Sequence, residues 1–164
     1  MNDIEMRLRA AEDRLEILEL EGRYARSFDD HDGDSWAALF TADGIYRSRS
    51  VDGQPPATFV QGTDALRDYC TSAPFRGIHL FHLPQLTIDG DTAVGRIHLE
   101  YHGEWTEDPG SPVLHLVGFY DASYHRVDGA WLLAQRVTTA YSRTLRTGFG
   151  YLPGTGLTSG GDLD

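Results

Sequence analysis

The sequence predicts an α+β domain, with helices gathered at the N-terminus and a meander of long, mostly antiparallel strands behind them. Three observations carry this. Apolar residues step by three and four through the first thirty positions, and from Gly77 onward they alternate instead. Asp-Gly pairs sit between alternating runs at Asp89-Gly90 and Asp128-Gly129, each the signature of a hairpin. Helices that precede the strands, without alternating with them, pack on one face of a curved sheet.

Taken in order, Asn2 and Glu5 have the spacing of a capping box and start the first helix. Its apolar face is Leu8, Ala11, Leu15, Leu18, Gly22 and Ala25, widened by Ile17, Leu20, Tyr24 and Phe28, and it runs to about Phe28 or Asp29. Asp34 is placed to cap a short helix, SWAALF, that stops before a turn at ADG. IYRSRS reads as a short strand, and VDGQPPATF as a Pro/Gly loop. Thr63 is expected to cap a third helix, DALRDYC. The strands GIHLFHLPQLTI, TAVGRIHLEYHGEW, VLHLVGFYDASYHRV and AWLLAQRVTTAYSR follow, broken by DGD, EDPGSP and Asp128-Gly129. Residues 1–147 are expected to form a single domain, and the Gly-rich stretch 148–164 a tail or a flap over a pocket, with Phe149, Tyr151 and Leu152 as its apolar contacts.

Composition narrows the function. A chain of 164 residues, 40% hydrophobic and 24% charged, has the make-up of a soluble globular domain. A net charge of −11, with no Lys/Arg cluster, argues against nucleic acid, whose phosphates need a basic footprint. No run is apolar enough for a signal peptide or a membrane span, and Cys70 is the single cysteine, which excludes a disulfide framework and a cysteine metal site. A cytoplasmic location is expected.

The acidic stretch SFDDHDGDSW invites a calcium reading, which its spacing refuses. Counted from Asp30, position six of the loop is Ser35 where glycine is required, and position twelve is Thr41 where glutamate is required. Counted from Asp29, His31 and Gly33 stand where carboxylates belong. Asp29 differs from its neighbours because it follows Phe28 and lies one turn beyond Tyr24, in line with the buried stripe; it reads either as a solvated helix end or as an acid turned inward. The other acids read as solvated groups or caps.

Histidines supply its possible partner. His79 shares a strand face with Phe81 and Leu83, so desolvation holds it neutral and able to accept a proton, particularly if a carboxylate orients its ring. The alternative is a core histidine satisfied by one hydrogen bond. His98, Glu100 and His102 project to one side of a strand and have a spacing that could hold a divalent metal, as in cupin-type barrels. Three substantial helices do not fit a jelly roll, however, and an outward polar face opposite Ile97, Leu99 and Tyr101 accounts for the same pattern. No metal and no cofactor is expected.

The runs YARSFDDHDGDSWAALFTADGIYRSRS, GIHLFHLPQLTIDGDTAVGR and YHRVDGAWLL together resemble the SnoaL-like branch of the nuclear-transport-factor-2-like superfamily, over about residues 10 to 142. Within it the sequence is most similar to bile-acid dehydratases, then to scytalone dehydratase and hexachlorocyclohexane dehydrochlorinase. The resemblance implies a cone of helices on a strongly curved mixed sheet around one apolar pocket. It also implies cofactor-independent elimination by an aspartate–histidine dyad, which falls on Asp29 and His79. Tyrosines of those enzymes fall on Tyr24 and Tyr46, and His102 lies near the second histidine of scytalone dehydratase. Ala140 stands where the bile-acid enzymes carry a pocket arginine, with Arg143 as a possible replacement.

The expectation is therefore a lyase of the dehydratase type acting on a hydrophobic hydroxylated carbonyl compound, polyketide- or steroid-like. Asp29, His79, Tyr24 and Tyr46 are its catalytic candidates, and His102, Phe81 and Arg143 its substrate contacts. An isomerase or polyketide cyclase would begin with the same proton removal, and a non-catalytic binding or assembly subunit would use the same fold. Relatives of this type are commonly trimers or dimers, so a homo-oligomer is expected, with neither nucleic acid nor membrane as partner.

Overall fold

The computed structural model describes residues 2–49, 58–105 and 113–146. The elements are α1 (Asp3–Asp29), α2 (Gly33–Ala37), β1 (Phe40–Ser48), β2 (Phe59–Gln61), α3 (Thr63–Thr71), β3 (Phe75–Phe81), β4 (Gln85–Asp89), β5 (Thr92–Trp105), β6 (Val113–Val127) and β7 (Ala130–Arg146). Helices pack on a mixed, mostly antiparallel sheet of order β2-β1-β7-β6-β5-β3, with β4 also pairing with β5. Among the described residues the one parallel pair is β1 with β7. Most of the expected loop VDGQPPATF, the turn EDPGSP and the stretch from 147 lie outside the described residues.

The capping box forms as the spacing predicts. The Asn2 side chain accepts from the Glu5 backbone N–H at 2.9 Å, and the Asn2 N–H donates to the Glu5 carboxylate at 2.8 Å. At its other end α1 closes in a Schellman arrangement: Asp32 N–H bonds to Ser27 C=O and His31 N–H to Phe28 C=O. His31 occupies the left-handed position at φ 58°, normally a glycine's place, and its Nε2 lies 2.9 Å from Phe75 C=O on β3. This end of α1 is thereby fixed to the sheet.

Caps of the shorter helices differ from expectation. Asp32, not Asp34, caps α2 by accepting from Ser35 N–H at 3.0 Å, because the helix begins two residues earlier and frees Asp34 to pair with Arg67 of α3. Gly33 is buried against α3, where an added Cβ would stand 2.5 Å from the Arg67 carbonyl oxygen. Helix α3 is preceded by Gly62 at φ 86°, and no side chain caps it; Thr63 is already helical. ADG is no turn but part of β1, where the register with β7 shifts between Phe40 and Ile45. The stretch 77–88 makes two strands, because Pro84 cannot donate to a ladder: β3 pairs with the far half of β5 and β4 with its near half.

Both Asp-Gly hairpins form. Asp128 and Gly129 take φ 50° and 85°, the mirror-image turn that suits strand twist, while at the other hairpin positive φ falls on Gly90 alone, at 58°. Alternation along β5 buries Ile97, Leu99 and Tyr101 and turns Arg96, His98 and Glu100 outward. Register shifts against β6 at Val117/Gly118 and Ser123/Tyr124 insert extra β7 residues, which bends the strand pair. The core lies between helices and sheet, around Ile17, Leu20, Tyr24, Trp36, Leu66, Ile97, Tyr124 and Leu133.

Candidate active site

The sheet and helices enclose a cavity of about 280 Å³. Tyr24 and Phe28 of α1, Tyr46 of β1, Tyr69 of α3, His79 of β3, Leu99 and Tyr101 of β5 and Tyr120 of β6 line it. Five tyrosines in one small space (Tyr24, Tyr46, Tyr69, Tyr101 and Tyr120) make it apolar by area, yet well supplied with hydroxyls.

Asp29 is the last helical residue of α1 and reaches back to β3 across fifty residues of sequence. One carboxylate oxygen, Oδ2, accepts the His79 backbone N–H at 2.9 Å, and the other, Oδ1, lies 2.6 Å from His79 Nδ1. An ionised carboxylate only accepts, so Nδ1 carries the proton and Nε2 presents its lone pair. The Tyr120 hydroxyl, 3.1 Å from Nε2, donates to it. The backbone contact fixes the carboxylate, the carboxylate fixes the tautomer, and the tautomer leaves a basic nitrogen at the cavity wall. The His79 side chain is 5% exposed and that of Asp29 17%. Tyr101, Phe28 and Phe81 surround the imidazole, with ring centroids 4.6, 5.5 and 5.5 Å away.

Tyr24, Tyr101 and Tyr120 are protonated donors. Burial is the main cause that pushes the Tyr24, Tyr101 and Tyr120 phenols up from their ordinary value. For Tyr24 and Tyr120 the Arg136 guanidinium opposes this, being stacked 3.8 Å from one ring centroid and 4.7 Å from the other. Arg136 is wholly buried and pairs with buried Glu21, which also accepts from the Tyr124 hydroxyl at 2.6 Å. Thr138 Oγ1 donates to the Tyr46 hydroxyl at 3.2 Å, leaving the Tyr46 proton to be offered to a ligand.

His79, Tyr24 and Tyr46 thus line one cavity, with Asp29 held behind the imidazole; Phe81, expected as a substrate contact, packs beside the imidazole and is not part of the cavity wall. His102 does not join them: it lies on the opposite face of β5 from Tyr101, against His115 and Glu100. Ala140 lines the cavity, and Arg143 pairs with Leu116 in the β6–β7 ladder, its side chain lying outside the described residues. Sequence reasoning missed Tyr120, Tyr101 and Arg136. The signal available for Tyr120 was its even-numbered alternation with Leu114 and Leu116, which line the same cavity.

A family model described as the SnoaL-like domain matches residues 9–137. No curated protein matches the chain. Among solved structures, an Asp-to-Asn variant of Rv3472 from Mycobacterium tuberculosis, a protein of unknown function, is 27% identical with a TM-score of 0.66, over 85% of this chain and 76% of that one. Kfla4162 from Kribbella flavida is 26% identical with a TM-score of 0.71, over 82% and 95%. Hexachlorocyclohexane dehydrochlorinase LinA-type3 from Novosphingobium barchaimii LL02 is similar at a TM-score of 0.74 over 89% and 98%; at 18% identity that likeness is one of fold.

Proposed function

The chain belongs to the SnoaL-like family, and from that premise we propose that its cavity is the active site of a cofactor-independent lyase of the dehydratase type, acting on an apolar hydroxylated carbonyl compound. The observation that carries this reading is the hydrogen-bonded chain Asp29–His79–Tyr120 ending in an aromatic cavity. His79 Nε2 removes the proton beside the carbonyl, and the C–H electron pair moves into an enolate. The enolate then expels the β-hydroxyl, forming the C=C bond as the C–O bond breaks, and the departing oxygen takes a proton to leave as water.

Asp29 holds the imidazole in the tautomer that can accept this proton and faces the imidazolium once it forms. Tyr24 and Tyr46 donate to the enolate oxygen or to the leaving hydroxyl, where negative charge grows. Burial raises the Tyr24, Tyr101 and Tyr120 phenols and so keeps them as donors, which leaves base catalysis to His79. General acid–base catalysis of this kind supplies about 10²–10⁴-fold, and positioning in the cavity supplies the remainder.

The test is a panel of β-hydroxy ketones and β-hydroxy thioesters on one- to four-ring apolar frames, with products read by mass spectrometry. Loss of water catalysed by the native protein and absent in His79→Ala supports the reading. A product of unchanged mass moves the assignment to an isomerase or cyclase using the same base. Tight binding without turnover, unaffected in His79→Ala, overturns catalysis in favour of a binding module.

A further inference from the structure

The outer face of the sheet carries a second cluster that the dyad does not use. His102 of β5 and His115 of β6 are directly opposed in the ladder, and their rings stack with centroids 4.4 Å apart and planes 27° from parallel. Glu100, two residues along β5, projects to the same face. Its Oε2 lies 3.2 Å from His115 Nε2 and 3.4 Å from His102 Nε2. We propose that Glu100, His102 and His115 form a binding site for a divalent transition-metal ion of the zinc type.

The distances fit that ion. With metal–ligand bonds of about 2.0–2.1 Å, the edges of a tetrahedral zinc site are about 3.3–3.4 Å. The two measured oxygen–nitrogen separations straddle that value, and all three ligand atoms lie within 4.8 Å of one another. Rotation of the imidazoles about their side-chain bonds closes the widest edge, while the backbone frame is a paired strand ladder and needs no rearrangement. Two imidazole nitrogens and one carboxylate oxygen favour zinc, nickel or copper over magnesium and calcium, which prefer all-oxygen sites. The side chains are 27%, 20% and 43% exposed for His102, His115 and Glu100, so an ion can enter from solvent and keep water in its remaining position.

Strand spacing alone pointed to His98 as the third ligand. The fold replaces it with His115, because His98 packs toward Phe119, 6.1 Å between ring centroids. The site is separate from the dyad: Tyr101 and Leu116, the chain neighbours of His102 and His115, line the cavity on the other side of the same sheet layer. A bound ion there would clamp β5 to β6 behind the cavity wall.

The experiment is calorimetric titration of chelator-treated, full-length protein with zinc chloride, followed in parallel by imidazole ¹⁵N resonances. One equivalent should bind in the micromolar range or tighter, shifting the His102 and His115 resonances while leaving those of His79 in place. His102→Ala and His115→Ala should each weaken binding by at least about 10-fold, and His79→Ala should bind as the native protein does. Excess magnesium should not compete. Absence of saturable binding overturns the proposal, as does binding that both outer-face variants retain. Resonance shifts at His79 would place the ion at the dyad instead, and because they are read on the native protein they need no variant to fold.

Discussion

Replacing Asp29 by Asn probes the proposed chemistry most directly, because it changes charge and hydrogen-bond polarity at almost constant shape. Both carboxylate oxygens are engaged by donors, the His79 backbone N–H at 2.9 Å and Nδ1 at 2.6 Å. An amide offers one oxygen and one NH₂, so it can accept from only one of them. With its oxygen kept on the backbone N–H, the NH₂ group faces Nδ1 and forces the proton onto Nε2, the nitrogen that must act as base. The variant also loses the charge that faces the imidazolium. Two unit charges about 4 Å apart in an effective dielectric of about 20 interact by on the order of 4 kcal/mol. At about 1.4 kcal/mol per tenfold in rate, this amounts to roughly 10³-fold in kcat. The assay is steady-state turnover of the dehydrated substrate, with thermal melting to establish that the variant folds and imidazole ¹⁵N shifts to report the tautomer. A folded Asp29→Asn protein with kcat within tenfold of the native value, or with Nδ1 still protonated, refutes the reasoning.

Three further outcomes follow from the same geometry. Tyr120→Phe keeps the ring over Arg136 but removes the donor to His79 Nε2, and should lower kcat by about fivefold with little change in melting temperature, as expected for one hydrogen bond of about 1 kcal/mol; unchanged kinetics would remove Tyr120 from the site. Arg136→Met leaves Glu21 buried without its cation and should cost about 3–5 kcal/mol in urea unfolding, most of which Arg136→Met with Glu21→Leu recovers; a stable single variant would contradict this. Stability should also decline at high pH. Burial, with nearby carboxylates adding, pushes the Cys70 thiol up to about 12 from 9.0, and burial raises the Tyr24, Tyr101, Tyr120 and Tyr124 phenols. The native state therefore keeps protons that the unfolded chain releases, so this stability is complete below pH 9 and is lost as pH rises toward 12. Urea midpoints at pH 8 and pH 10.5 measure it, and Cys70→Ala should flatten the slope; a midpoint that does not fall with pH would show that these groups titrate normally in the fold.

Local chemistry was legible wherever one short stretch decides its own conformation. The capping box at Asn2 and Glu5, the stripe Ile17, Leu20, Tyr24 and Phe28 of α1, the Asp128-Gly129 hairpin and the bounds of β5 and β6 all depend on residues a few positions apart. The face expected beside that stripe is not buried: Leu8 and Leu15 are exposed, because the sheet covers α1 only along the Ile17–Phe28 side. The inward turn of Asp29 was open in the sequence, since helical period sets it about 100° round from Phe28; its contacts with His79 on β3 decide it. Asp32 and Gly62 displaced the expected caps because the starts of α2 and α3 are set partly by their packing on each other, with Gly33 against the α3 backbone and Asp34 drawn to Arg67.

Tertiary structure decided the rest. Trp131 and Leu133 are buried at odd positions of β7, yet Arg136, Thr138 and Ala140 face the buried side at even ones, because the register shift opposite Ser123/Tyr124 admits one extra residue. No alternation count from either end of the strand reveals that change of phase. The hydrogen bond between Asp29 and His79 spans fifty residues, Tyr120 reaches the same imidazole from a third element, and His102 meets His115 only because β5 and β6 pair in one particular register. Sequence by itself singled out Asp29, His79, Tyr24 and Tyr46 as candidates and the inward face of β5, but not Tyr120, Tyr101 or Arg136, nor the change of face within β7. Only the folded sheet, whose curvature and register arise from contacts far apart in the chain, determined which of them stand within hydrogen-bond distance.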